Sequence, residues 1–148
     1  MKISAKARYG LAAMISIAKN QHCREYITLV SISEKLGISK IYLEQVFVLL
    51  KQAGFVTSIK GAQGGYQLSK PSESITAFEV LSAIEFSLFQ KTESTVISNA
   101  PSIETAMQTT IFDALDAATK ATLENISLQH LVSIAEKYNS EDEYMFFI

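Results

Sequence analysis

Between Thr28 and Gly54, two short amphipathic segments are divided by one glycine, and few folds accommodate that arrangement. Thr28 can cap a first helix over residues 29–36 by accepting from a free N–H of its first turn. Gly37 breaks that helix, Ile38 is apolar, and Ser39 can cap a second helix over residues 40–53. Two short helices joined by a three-to-four-residue turn that holds a glycine form a helix-turn-helix. The apolar positions agree. Ile32, Leu36 and Ile38 precede the second helix, and Leu43, Val46, Phe47 and Leu50 within it keep the spacing of one buried face. Ser33 falls where the helices must cross, a place for a small side chain. On this segment alone an ordinary helical hairpin stays open.

The residues after the second helix narrow the choice. Residues 55–59 read as a strand, Lys60-Gly61-Ala62-Gln63-Gly64-Gly65 as a turn, and Tyr66-Gln67-Leu68 as the return strand. A β-hairpin directly after a helix-turn-helix is a wing. Its glycines let the backbone approach phosphates, and Lys60 can reach a neighbouring groove. A nucleotide cradle is the weaker reading, since the turn is neither Gly-x-Gly-x-x-Gly nor a P-loop and no helix comes after it.

Ser4 is a plausible cap for an opening helix that runs to Lys19, with Gly10 inside it implying close packing against another element. Thr76 can cap a helix over residues 77–85, followed by a polar, Ser/Thr-rich stretch that closes at Pro101. A long helix is then expected over residues 103–123. Its stripe of Ile103, Ala106, Met107, Ile111, Ala114, Leu115, Ala118 and Ala121 needs a partner, most simply a symmetric second copy. Ser127 can cap a last helix to about Tyr138. The expected fold class is mainly α with a small β-hairpin wing. It comprises a winged helix-turn-helix domain (1–86), a flexible connector (87–102), a helical dimerisation region with a long C-terminal helix (103–139) and a tail (140–148).

Charge divides the same way. Residues 1–70 carry ten Lys/Arg against three acids, a formal +7, while residues 71–148 carry three lysines against twelve acids, a formal −9. A basic half suggests a polyanion partner and an acidic half a separate task. One cysteine, Cys23, rules out disulfides within the chain and four-cysteine metal sites, and points to a reducing cytoplasm. The N-terminal residues lack the apolar core of a signal peptide, and no apolar run reaches the roughly 18–20 residues of a membrane span. Two histidines, His22 and His130, and the single cysteine leave little for a nucleophile–base pair, so an enzyme is not expected.

Taken together, Arg8-Tyr9-Gly10-Leu11, Ile38-Ser39, Tyr42-Leu43-Glu44-Gln45, Gly54-Phe55-Val56, Ser58-Ile59-Lys60-Gly61, Gly64-Gly65-Tyr66-Gln67-Leu68 and Ile75-Thr76 carry a resemblance. The chain resembles the bacterial winged helix-turn-helix transcription regulators that include IscR, NsrR and CymR, and its apolar ending is most similar to the cysteine-metabolism repressor branch. The resemblance implies a dimeric repressor that reads an inverted repeat in double-stranded DNA. Ser39, Lys40, Ile41, Tyr42, Glu44 and Gln45 would then face the major groove, with Arg8, Lys60, Gly61, Gly64 and Gly65 at the backbone and minor groove. Glu44 can accept from a cytosine amino group and Gln45 can pair with adenine. Ile41 departs from some relatives and could touch a thymine methyl, while Lys60 stands where arginine is common. Met107, Ile111, Leu115 and Ala118 would form the homodimer interface.

The sensor departs further. Cluster-binding relatives carry three connector cysteines, and residues 87–105 hold none, so no iron–sulfur cofactor is expected. Cys23 beside His22 and Arg24 offers a single-thiol redox alternative, against an inert loop cysteine. The ending Tyr144-Met145-Phe146-Phe147-Ile148 either packs on its own dimer or enters a partner that captures a C-terminal isoleucine. The resemblance names cysteine synthase, whose active site accepts the terminal isoleucine of serine acetyltransferase. A regulator that works mainly through this tail is the alternative function.

Overall fold

The computed structural model describes residues 2–62 and 64–146. Among these residues, seven α-helices and one antiparallel hairpin follow the order α1 (Ala5–Lys19), α2 (Leu29–Leu36), α3 (Lys40–Gln52), β1 (Val56–Ile59), β2 (Gly65–Leu68), α4 (Ala77–Ile84), α5 (Pro101–Met107), α6 (Asp113–Glu124) and α7 (Leu128–Phe146). This is a mainly α fold with a small wing and long C-terminal helices, as expected.

Capping sets most of the helix starts. Ser4 Oγ accepts from the Ala7 N–H at 3.1 Å, and Thr28 Oγ1 accepts from Ser31 N–H at 3.1 Å. At α4 the exchange is reciprocal: Thr76 Oγ1 accepts from Glu79 N–H, and the Glu79 carboxylate accepts from Thr76 N–H, a capping box. Ser39, expected to cap α3, makes no side-chain capping bond among the described residues, and α5 and α6 also begin without one.

The core sits where α1, α3 and α4 meet, around the fully buried Met14, Ile17, Ile32, Leu43, Phe47, Leu50 and Leu81. Gly10 is the point of closest approach. A Cβ there would stand 2.2 Å from Ile84 Cδ1 and 2.8 Å from Val46 Cγ1, so any side chain would force Ile84 and Val46 to move. The Ser4 hydroxyl also donates to Glu85 and ties the start of α1 to the end of α4.

Two features cross the expected domain boundary. Leu128 and Val132 of α7 are buried in the same core as α1. Backbone bonds from Leu128 N–H to Ile75 O and from Ala77 N–H to Ile126 O, both 2.8 Å, clamp the start of α7 beside the start of α4. The region assigned to dimerisation from sequence thus supplies a buttress to the winged half. Helix α7 also continues through Phe146, past the expected end near Tyr138 and into the segment expected to be a tail.

The stretch between α4 and α5 differs from a free connector. A 3-10 turn spans Phe86–Phe89, and the chain then folds back on Glu104. That carboxylate accepts from Val96 N–H at 2.8 Å, Thr95 N–H at 3.1 Å and Thr95 Oγ1 at 3.4 Å. The long helix begins at Pro101 and continues to Glu124, interrupted by a π turn over Gln108–Phe112. No helix among the described residues is long and apolar enough to cross a membrane.

Candidate nucleic-acid interface

The turn between α2 and α3 is built by three local devices. Gly37 takes the left-handed conformation at φ 67°, the Ile38 N–H donates to Ser33 O at 3.1 Å, and the Ser33 hydroxyl donates to Ile38 O. Ser33 is small as expected, and its hydroxyl locks the turn. Ile38 is buried and pins α3 against α2.

Helix α3 buries Leu43, Val46, Phe47 and Leu50, so its opposite face points outward. Ser39, Lys40, Ile41, Glu44 and Gln45 are all exposed there, Ile41 to 70%. Lys40 Nζ and Glu44 Oε1 lie 3.7 Å apart, both well exposed, an ion pair weak enough to exchange for other partners. Tyr42 is half-buried and differs from its neighbours. Its ring meets Tyr9 of α1 edge-on, with centroids 5.5 Å apart, and so brings the exposed Arg8 and Tyr9 alongside α3.

The wing packs more tightly than a simple hairpin. Val56 pairs with Leu68 and Ile59 with Gly65, while Ile27 forms an added bridge to Tyr66. This bridge explains one glycine. Gly65 lies at φ 146°, and a Cβ on it would stand 2.4 Å from Ile27 O. At Gly64 a Cβ would meet Ile59 O at 2.4 Å, so both residues answer to the closure of the wing itself. Gly61, at φ 114° with open space around it, answers only to backbone conformation. Lys60 and Gly61 are exposed at the tip.

Between α2, α3 and the wing runs a groove of about 460 Å³ lined in part by Thr28, Lys40, Lys51, Ser58, Lys60 and Tyr66. Three lysines and no carboxylate line it among the described residues, which gives the groove a positive lining. Lys51 Nζ donates to the Ser58 hydroxyl at 2.7 Å and is thereby held over the groove. Sequence reasoning missed Lys51, Tyr9 and the start of α2. Only the pairing of wing with helix brings Lys51 there, and no local pattern signals it.

The other candidate residues lie apart. Ile111 and Leu115 are 48% and 59% exposed, Ala118 is exposed and Met107 half-buried, all along the far helical arm. Cys23 is exposed in the 3-10 turn after α1, next to Arg24 in the left-handed region at φ 52°. The expectation for the side chains of Tyr144 to Ile148 lies outside the described residues.

A family model described as Rrf2, iron-dependent transcriptional regulator, matches residues 3–134. Among curated proteins, the HTH-type transcriptional regulator IscR of Cereibacter sphaeroides is 42% identical over 86 residues, covering 57% of this chain and 56% of its own length. IscR of Escherichia coli is 42% identical over 88 residues, covering 60% and 54%. The match thus spans about half the length of these relatives. Among solved structures, oxidized CymR of Staphylococcus aureus is 37% identical with a TM-score of 0.70, covering 89% of this chain and 96% of that one. CymR of B. subtilis, described as the global cysteine regulator, is 32% identical with a TM-score of 0.73, covering 90% and 98%.

Iron is implied by the family's description, and the residues here do not fit it. The chain has a single cysteine, Cys23, which sits after α1 and away from the connector. The buried acid beside the connector, Glu104 of α5, already accepts from Thr95 and Val96. Among the described residues no three His, Cys, Asp or Glu side chains group as metal ligands.

Proposed function

The chain belongs to the Rrf2 family of winged helix-turn-helix DNA-binding transcription regulators, and from that premise we propose that it is a homodimeric repressor reading an inverted-repeat operator. The observation that carries this reading is the joint exposure of α3's outer face and the lysine-lined groove beside it, in a half-chain of formal charge +7. Helix α3 enters the major groove, whose width of about 12 Å admits an α-helix. Gln45 and Glu44 read base edges, Ile41 meets a thymine methyl, and Ser39 and Tyr42 support them. Lys40, Lys51, Lys60 and Arg8 hold phosphates and fix the register, with Gly61 at the wing tip entering beside the backbone.

Two copies join through Met107, Ile111, Leu115 and Ala118, which supplies the two-fold symmetry an inverted repeat requires. Similarity to the CymR structures supports cysteine and sulfur metabolism genes as the targets. Fluorescence anisotropy on the promoter of such a gene from the host, against a scrambled duplex, tests the whole reading. Binding should favour the promoter by at least 10³-fold at moderate salt and fall steeply as salt rises. Equal affinity for both duplexes would overturn it.

A second reading concerns the C-terminus. Residues 136–142 of α7 are exposed, so the helix carries its last turns away from the core. That supports presentation of the apolar segment 144–148 to a partner enzyme such as cysteine synthase. Calorimetry with the host's synthase, and with a chain truncated after Asp142, tests it. Heat of binding should vanish on truncation. No binding by the full chain at about 100 µM, well above typical weak affinities, would sink this reading.

A further inference from the structure

A second concavity lies away from the basic face, where α4 and the turn after it meet α6. It holds about 260 Å³. Its apolar floor is Phe78 of α4 and Phe89 of the 3-10 turn, whose rings tilt together with centroids 4.6 Å apart, with Leu88 beside them. Lys120 of α6 stands over the Phe78 ring with Nζ 5.6 Å from its centroid, and Lys91 lines the connector side. Asp116, one turn before Lys120, is the carboxylate on the wall. Lys120 Nζ also lies 3.9 Å from Glu124, with both side chains about half exposed, so that pair yields readily to a better-placed anion.

Ligand pockets are mostly apolar and aromatic, with a few polar groups that orient the ligand. This one has that composition, and its rim carries two ammonium groups against one carboxylate. Its size falls below the roughly 300 Å³ at which drug-sized pockets begin, which restricts it to a small ligand. At about 100° per residue, Asp116 and Lys120 lie about 100–160° around α6 from Leu115 and Ala118. A partner helix on that stripe therefore leaves the pocket open.

We propose that this pocket binds a small organic monocarboxylate with an aromatic or branched apolar body. The apolar body rests on Phe78 and Phe89, and the carboxylate sits between Lys91 and Lys120. Asp116 disfavours a second negative charge. A ligand here touches α4, which packs on α3 and sets Ile84 against Gly10 of α1, and α6, which carries the exposed stripe. Neither this binding nor its test depends on DNA recognition.

The test uses the full chain with phenylacetate as the probe, and benzyl alcohol and benzylamine as its neutral and charge-reversed counterparts. Calorimetry and amide chemical shifts report binding. Phenylacetate should saturate with a dissociation constant of about 1 mM or tighter, with shifts centred on Phe89 and Lys120. Both counterparts should bind at least tenfold more weakly. The Lys91→Ala, Lys120→Ala double variant should lose tenfold or more in phenylacetate affinity with an unchanged melting temperature; both lysines are exposed, so the fold does not rest on them. Phenylacetate that fails to saturate by about 10 mM, benzylamine that binds as well, or a double variant of parental affinity would each overturn the proposal.

Discussion

In α3, Leu43, Val46, Phe47 and Leu50 disappear into the chain's own core, whereas α6 repeats the same helical spacing of apolar residues and none of its twelve described residues is buried. The winged half closes with the start of α7 as its buttress: glycine at the α1 crossing, a reciprocal cap at α4, a core of aliphatic side chains around Phe47. The arm from Pro101 to Glu124 leaves Ile103, Ile111 and Leu115 about half exposed or more, a contiguous apolar stripe of the kind monomeric proteins rarely leave uncovered. One region is completed within the chain and the other calls for a second surface. Their charges differ in the same sense, with lysines around the groove of the first and acids predominating in the second.

The most damaging way to test that contrast is Ile111→Asp. In a two-fold interface it buries two unpaired charges, at about 3–5 kcal/mol each, and should convert a dimer to folded monomers by sedimentation at micromolar concentration. Its circular dichroism should stay that of the parent. A parent chain that already sediments as a folded monomer at that concentration would remove the premise. Phe47→Ala is the counterpart within the winged half. It removes a fully buried ring, should cost about 3–5 kcal/mol in urea unfolding, and should weaken DNA binding only through lost fold.

Smaller effects sharpen the division of labour on the basic face. Gln45→Ala should cost roughly 1–3 kcal/mol on the operator and relax preference at one base position. Lys60→Ala should weaken all duplexes alike and reduce the salt slope by about one. Anisotropy titrations at several salt concentrations separate the two. Variants that both bind like the parent would remove α3 and the wing from the interface.

How much the sequence discloses depends on how local each determinant is. Thr28, Gly37 and Thr76 act within four residues, so caps and breaks can be read directly, and Gly10 in mid-helix signals the close approach later found at Ile84. The buried face of α3 is legible because one helix carries its whole pattern. Long-range pairings are not. Nothing near Leu128 announces that it enters the core of α1, and nothing near Ile27 announces its bridge to Tyr66. For the same reason the exposed residues of α3 can be foreseen, while Lys51 joins the groove only once the wing folds back onto its helix. Ser39 looks like a cap by residue type, yet its hydroxyl caps nothing among the described residues and is left available.

The finest probe of the contrast lies at the joint between the regions. Glu104 is buried, and its carboxyl titrates below the ordinary value of 4.5, chiefly because the Val96 N–H favours the anion. Burial opposes this, and the N–H and hydroxyl of Thr95 add to it. A carboxyl depressed in the folded state contributes its stabilisation fully above its unfolded pKa, and loses it as pH falls through the lower folded value. Amide exchange at Thr95 and Val96 should therefore stay slow from neutral pH down to about 5 and quicken, relative to intrinsic rates, only in more acidic solution. Glu104→Gln keeps the shape but gives up the charge, so those amides should exchange faster at neutral pH and lose that acid dependence. Operator affinity should stay within about twofold of the parent, because α3 rests on the core through Leu43 to Leu50 and not on the connector. If the Gln variant instead weakens the operator as much as Gln45→Ala does, the joint governs the groove and the two regions act as one.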